Sequence, residues 1–129
     1  MPEFLTPLRV QLIDEVDRAN SAGGDGVRSS WILLTPLHFK SDVLGRLYVV
    51  PQGFLTDFAS TPSGMQQKAF KASVLHDHAY RSKDLSKDDA DAMFLEAMTV
   101  DNIPGREMMY AAVRAFGKNS YDPNAPSAW

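Results

Sequence analysis

Hydrophobic and polar positions follow two different periods in the two halves of the chain. Near the N-terminus Val10 and Leu12, with Asp14 continuing the alternation, mark a short strand. A polar, Gly-rich stretch follows, Asn20 to Asp25. It offers no side chains with which to build a core, so it predicts an exposed connection. Trp31 to Phe39 predicts a second strand, interrupted by Pro36 at an edge or a bulge. Leu47 to Val50 predicts a third, and Phe54 to Asp57 a fourth.

Beyond this point the apolar residues recur at three and four. From Gln66 to Arg81 the spacing predicts a helix, with Ala69, Ala72, Ser73 and His76 on one side. A second helix begins after Ser86, a capping hydroxyl, with Asp88 and Asp89 placed to favour the N-terminal dipole. It runs to Thr99 or Val100. A third starts at Pro104 and stops near Gly117, with Met109, Ala112, Val113 and Phe116 as its apolar stripe. Met93, Met98, Met108 and Met109 are all expected in the core. The resulting class is α+β: a small, mainly antiparallel N-terminal sheet packed on three C-terminal helices. Residues 1–118 form one domain, and the Pro-, Asn- and Ser-rich residues 119–129 a loose tail.

Composition narrows the function classes. The 129 residues are 44% hydrophobic and 22% charged, values of a globular domain. The net charge of -3 and the scattered basic residues argue against nucleic-acid binding, which needs clustered cations. The absence of cysteine excludes disulfides, a thiolate nucleophile and Cys-ligated zinc, and suits synthesis in a reducing cytoplasm. No signal peptide is expected, and no stretch approaches the roughly 18 apolar residues of a transmembrane helix.

Candidate chemistry gathers on the first two helices. His76 and Tyr80 are four apart and share a face, while Asp77 and His78 turn away by about 100° and 200°. His76 and His78 therefore cannot clasp one metal from a regular helix. On the second helix Asp91, Phe94, Leu95 and Met98 form the inward stripe. A carboxylate there costs several kcal/mol unless it is paired. His76 is the best-suited partner, and Asp91 bonded to one imidazole nitrogen would leave the other as a general base. The same pair also reads as a plain core hydrogen bond, and Tyr80 and Arg81 as packing and capping residues.

Upstream, Gly53 to Pro62 joins a strand end to a loop of self-bonding side chains. Asp57 and Ser60 there fit an Asx-type turn. Alternatively, Asp57 and Asp77 are ligands for a hard cation such as calcium. Ser60 with His76 and Asp91 also raises a Ser–His–Asp hydrolase, although no Gly-x-Ser-x-Gly elbow surrounds it. Asp84 to Leu95 is not an EF-hand loop, because Asp89 replaces its turn glycine and Leu95 its final Glu.

Four segments resemble a domain-of-unknown-function family of tailed phages and prophages: Val50 to Pro62, Val74 to Arg81, Asp91 to Met98 and Ala112 to Gly117. The ordered match spans Val10 to Gly117 and implies a phage gene product, made in a bacterial host, with the virion or envelope as its site of action. More remotely, His76-Asp77-x-x-Tyr80-Arg81 followed by Asp91-x-x-Phe94-x-x-x-Met98 is similar to the helix pair of prokaryotic secreted phospholipase A-two. That resemblance implies His76 as the base activating water, Asp91 as its orienting partner, and Asp77 with Asp57 as calcium ligands. This chain lacks that family's disulfides, has a short linker between the helices and carries an extra N-terminal β region. The leading expectation is a phage hydrolase acting on a lipid ester or the cell envelope. Its alternatives are a non-enzymatic virion, assembly or host-interaction protein, and a zinc-dependent peptidoglycan or other amide hydrolase.

Overall fold

In the computed structural model, residues 1–17, 27–56 and 69–116 are described. Six strands and three helices follow in order: β1 (Glu3–Phe4), β2 (Val10–Asp17), β3 (Val27–Leu33), β4 (Leu37–Ser41), β5 (Arg46–Val50), β6 (Leu55–Thr56), α1 (Phe70–Ser82), α2 (Lys87–Val100) and α3 (Arg106–Phe116). The architecture is α+β, as expected. The strands, however, divide into two antiparallel three-stranded sheets, β1-β4-β5 and β2-β3-β6.

The division falls where Pro36 interrupts the expected second strand. Proline has no N–H for a ladder, so β3 ends at Leu33 and β4 starts at Leu37 in the other sheet. Trp31 to Phe39 is therefore not one bulged strand but a crossing between sheets. Backbone bonds tie the crossing down: Leu33 N–H to Phe54 O at 2.9 Å, Gly53 N–H to Leu33 O at 2.8 Å and Leu34 N–H to Arg9 O at 2.8 Å. Gly53 bends the chain at φ +89°, a region L side chains rarely enter. The fourth strand is shorter than expected, and Asp57, the Asn20–Asp25 connection and the 119–129 tail lie outside the described residues.

Strands β4 and β5 alternate as period two requires. Leu37, Phe39, Tyr48 and Val50 point into the core, while Lys40, Leu47 and Val49 face out. Glu96 of α2 clamps their turn: its carboxylate accepts from Ser41 Oγ (2.6 Å), Asp42 N–H (2.9 Å) and Val43 N–H (3.0 Å).

Helix α1 is buried nearly all round, since it packs on α2 and also reaches β5 and β6. Helix α2 begins as expected, with Ser86 Oγ accepting from Asp89 N–H at 3.1 Å. It closes in a Schellman turn: Asn102 at φ +53° sends its N–H to Thr99 O, and Ile103 N–H reaches Met98 O. Helix α3 starts two residues later than expected. Gly105, at φ +75°, cannot be a helical position, so Pro104 stands outside the first turn. Met93, Met98 and Met109 are core residues, but Met108 is 77% exposed, and Ala112 is exposed too; α3 packs through a narrower stripe than its composition suggests.

His78 joins α1 to the sheet. Tyr48 O–H donates to its Nδ1 at 2.7 Å, and Tyr48 and Phe54 meet its ring edge-on. Burial pushes His78 down to about 4, with Asp84 opposing and Arg81 adding to the shift. The unfolded chain then binds a proton that the folded chain refuses, so stability from this group is full above the unfolded value of 6.5 and is lost as pH falls toward about 4. Urea unfolding should show wild type losing about 2 kcal/mol more than His78→Gln between about pH 7 and pH 5. Equal losses in the two proteins would refute this account of His78.

Candidate functional site

Asp91 lies in the second turn of α2, on the face turned to α1, and has no solvent exposure. The apolar stripe around it, Phe94 and Met98, obliges it to be there. Its first oxygen faces α1, where Oδ1 accepts from His76 Nε2 at 2.7 Å and from Tyr80 O–H at 2.5 Å. The expected His76–Asp91 contact is thus present, and the i, i+4 partner Tyr80 joins it. Phe94 stacks on the imidazole at 4.5 Å and 25°, and the Tyr80 ring lies 4.1 Å from it. Packing therefore fixes the plane of His76 while the hydrogen bond fixes its rotation.

The second oxygen faces two cations. Lys87 Nζ donates to Oδ2 at 2.7 Å and Arg114 Nη1 at 3.1 Å. Lys87 also donates to Val113 O at 3.0 Å, and Arg114 to Asp88 at 2.8 Å, so α3 is tied to α2 around this carboxylate. Burial alone would raise Asp91. The bonds from His76, Lys87 and Tyr80 outweigh it and hold the carboxyl well below the usual carboxylate range. An ionised carboxylate only accepts, so the His76 nitrogen facing it, Nε2, carries the proton and donates it in that bond.

Sequence reasoning missed both cations. Lys87 carried a signal, because it stands four residues before Asp91 on one helix. Arg114 carried none, since nothing in its spacing points to a residue on another helix.

Asp77 occupies a different side of α1. Its Oδ2 accepts from Thr56 Oγ1 at 2.9 Å and from Arg81 Nη1 at 3.3 Å. Arg81 also donates to Leu55 O, and its guanidinium lies 4.8 Å over the Phe54 ring. Arg81 is therefore more than a helix-end residue: with Asp77 it straps α1 to β6. Asp57 and Ser60 are outside the described residues, so the proposed cation pair and the serine nucleophile are seen only through Asp77 and His76. Among the described residues no three His, Asp or Glu side chains converge. His76 and His78 point to different elements, α2 and β5, as the helical rotation requires.

A cleft of about 670 Å³ opens on another side of α2, among Val43, Leu95, Thr99, Val100 and Tyr110. Neither His76 nor Asp91 lines it.

One polar side chain beside the site lacks a partner. Ser73, one turn before His76, is fully buried and its Oγ makes no hydrogen bond. Tyr80→Phe removes a bond to an ionised carboxylate and should cost about 2 kcal/mol in urea unfolding. Ser73→Ala should leave stability unchanged or raise it, because an unsatisfied hydroxyl is replaced by a better helix former. A clear loss in Ser73→Ala, or none in Tyr80→Phe, would contradict this geometry.

Residues 31–113, more than half of the chain, match the family described as Protein of unknown function (DUF1353). No curated protein and no solved structure matches significantly. The matched span runs from Trp31 in β3 to Val113 in α3, and so contains His76, Tyr80, Asp77, Lys87 and Asp91. This chain belongs to the DUF1353 family of proteins of unknown function.

Proposed function

We propose that this chain is a phage-encoded hydrolase in which His76 activates water. The observation that carries the reading is the 2.7 Å bond between His76 Nε2 and Asp91 Oδ1, inside packing that holds the ring still. With Nε2 protonated toward Asp91, Nδ1 accepts a proton from water. The hydroxide adds to an ester carbonyl, and the proton then passes from His76 to the departing alkoxide, leaving acid and alcohol. Asp91 orients the ring and compensates the charge that develops on it, as the carboxylate of a catalytic triad does. Tyr80 helps by holding the same carboxylate oxygen.

A calcium-class cation held by Asp57 and Asp77 would polarise the carbonyl. Two features bear on that fit. Thr56, the residue before Asp57 in the sequence, is hydrogen-bonded to Asp77. Against this, Arg81 already offers Asp77 a positive charge at 3.3 Å. A lipid ester of the cell envelope is the substrate class we favour, on the similarity of the helix pair to phospholipase A-two. The phage assignment rests on the four sequence segments that resemble phage and prophage products.

A second reading has its own observation. His76 is only 1% exposed and Asp91 accepts from His76, Tyr80, Lys87 and Arg114, which suits a pair that fixes helices in a virion, assembly or host-interaction protein. Hydrolysis of phospholipid vesicles, with calcium and with chelator, separates the two. The hydrolase reading expects His76→Gln to stay folded and lose activity by about 10²- to 10⁴-fold. Wild type that is inert on vesicles and on soluble esters would leave the structural reading. Calcium should raise the wild-type melting temperature and leave Asp77→Asn unmoved; no shift in wild type would remove the cation from the mechanism.

A further inference from the structure

The Asp91 carboxylate is divided between two tasks. Oδ1 serves α1 through His76 and Tyr80, and Oδ2 serves Lys87 of α2 and Arg114 of α3. A carboxylate on a short side chain can rotate about its Cβ–Cγ bond, which would exchange its two oxygens and swing the acceptor away from the imidazole. Two cations on one oxygen oppose that rotation, and each is itself tethered. Lys87 is held by Val113 O at 3.0 Å, and Arg114 by Asp88 at 2.8 Å. The tethers close a ring through α2 and α3, so the carboxylate plane is set by the docking of α3.

We propose that Lys87 and Arg114 are positioning residues for the His76–Asp91 pair, fixing Asp91 so that His76 is held in one orientation with Nε2–H toward the carboxylate. Both bond Oδ2, the oxygen opposite the one that serves His76, so neither is needed merely to satisfy Oδ1. Their meaning for catalysis rests on the hydrolase reading, but their effect on His76 does not. It is measurable without a substrate.

Among the described residues the carboxylate is faced by His76 and Tyr80 from α1, Lys87 from α2 and Arg114 from α3, with Asp88 as the second partner of Arg114. Arg114 keeps 39% exposure, and Lys87, at 18%, is replaced by Met, whose unbranched stem fills nearly the same space. Asp88, exposed at 81%, holds Arg114 from outside the buried cluster.

Nitrogen-15 and proton NMR of the imidazole provides the test, on the full chain with thermal melts run beside it. In wild type the Nε2 proton of His76, bonded to a carboxylate, is expected far downfield, with nitrogen shifts of a single Nε2–H tautomer. Lys87→Met and Arg114→Gln should each move that proton upfield and mix the two tautomers, the pair of changes more than either alone. Arg114→Lys, which keeps the charge, should restore most of the signal, and Asp88→Asn, which weakens the tether on Arg114, should move it the same way as Arg114→Gln but less. In the hydrolysis assay the same variants should lower kcat, by on the order of 10²-fold for the double change, with KM nearly constant. If the folded double variant keeps the wild-type resonance and tautomer, the assignment is overturned. If the resonance moves as expected while wild type hydrolyses nothing, the positioning stands and the hydrolase reading falls.

Discussion

A fully buried carboxylate, Asp91, is the constraint around which the helical half is organised. Burying such a group unpaired costs several kcal/mol, more than most single contacts return. Its partners come from all three helices: His76 and Tyr80 on α1, Lys87 on α2, Arg114 on α3. None of these helices can withdraw without exposing or orphaning part of the cluster. The cost of burial is thereby turned into specificity of assembly, because an alternative packing of the same apolar faces would leave the charge unmet.

Helix α1 distributes the remaining polar contacts by rotation alone. Successive residues turn by about 100°, so His76, Asp77 and His78 look toward three different neighbours. His76 meets α2, Asp77 meets Thr56 of β6, and His78 meets Tyr48 of β5. A helix buried on nearly every side needs polar side chains that find partners in each direction, and here three consecutive residues do so. Arg81 extends the β6 contact to Leu55 O and covers the face of Phe54. The His-Asp-His run that suggests a metal clasp on paper is a three-way joint between helix and sheets.

What was legible beforehand was mostly local and periodic. Ser86 as a cap, the α2 stripe and the anomaly of Asp91 inside it follow from spacing along one helix, and that anomaly alone pointed to His76. Lys87, four residues before Asp91, belongs to the same class of signal. The rest depends on contacts between distant segments. Pro36 announces a break in a ladder but not that the chain changes sheets there. Two-residue β1 has no period to detect; it exists because Phe4 lies opposite Phe39. Glu96 reads as a surface residue of α2, yet it holds the β4–β5 turn. Met108 and Met109 are adjacent and chemically alike, and only the docking angle of α3 decides which is buried.

The same cluster bears on whether the His76–Asp91 pair is more than a strut. A strut needs each polar group satisfied, and a neutral acceptor on α2, such as an amide, would satisfy Nε2–H without a buried charge. This chain instead places an ionised carboxylate there and brings two cations to its far oxygen. The negative charge of Asp91 is matched by Lys87 and Arg114, so His76 is not required as its counter-ion. What the carboxylate does for His76 is directional. It accepts from Nε2 and offers a fixed negative charge on the side where an imidazolium would form. An arrangement that costly to bury and that closely oriented is what the proposed hydrolase asks of His76, and the proposal rests on it rather than on the histidine alone.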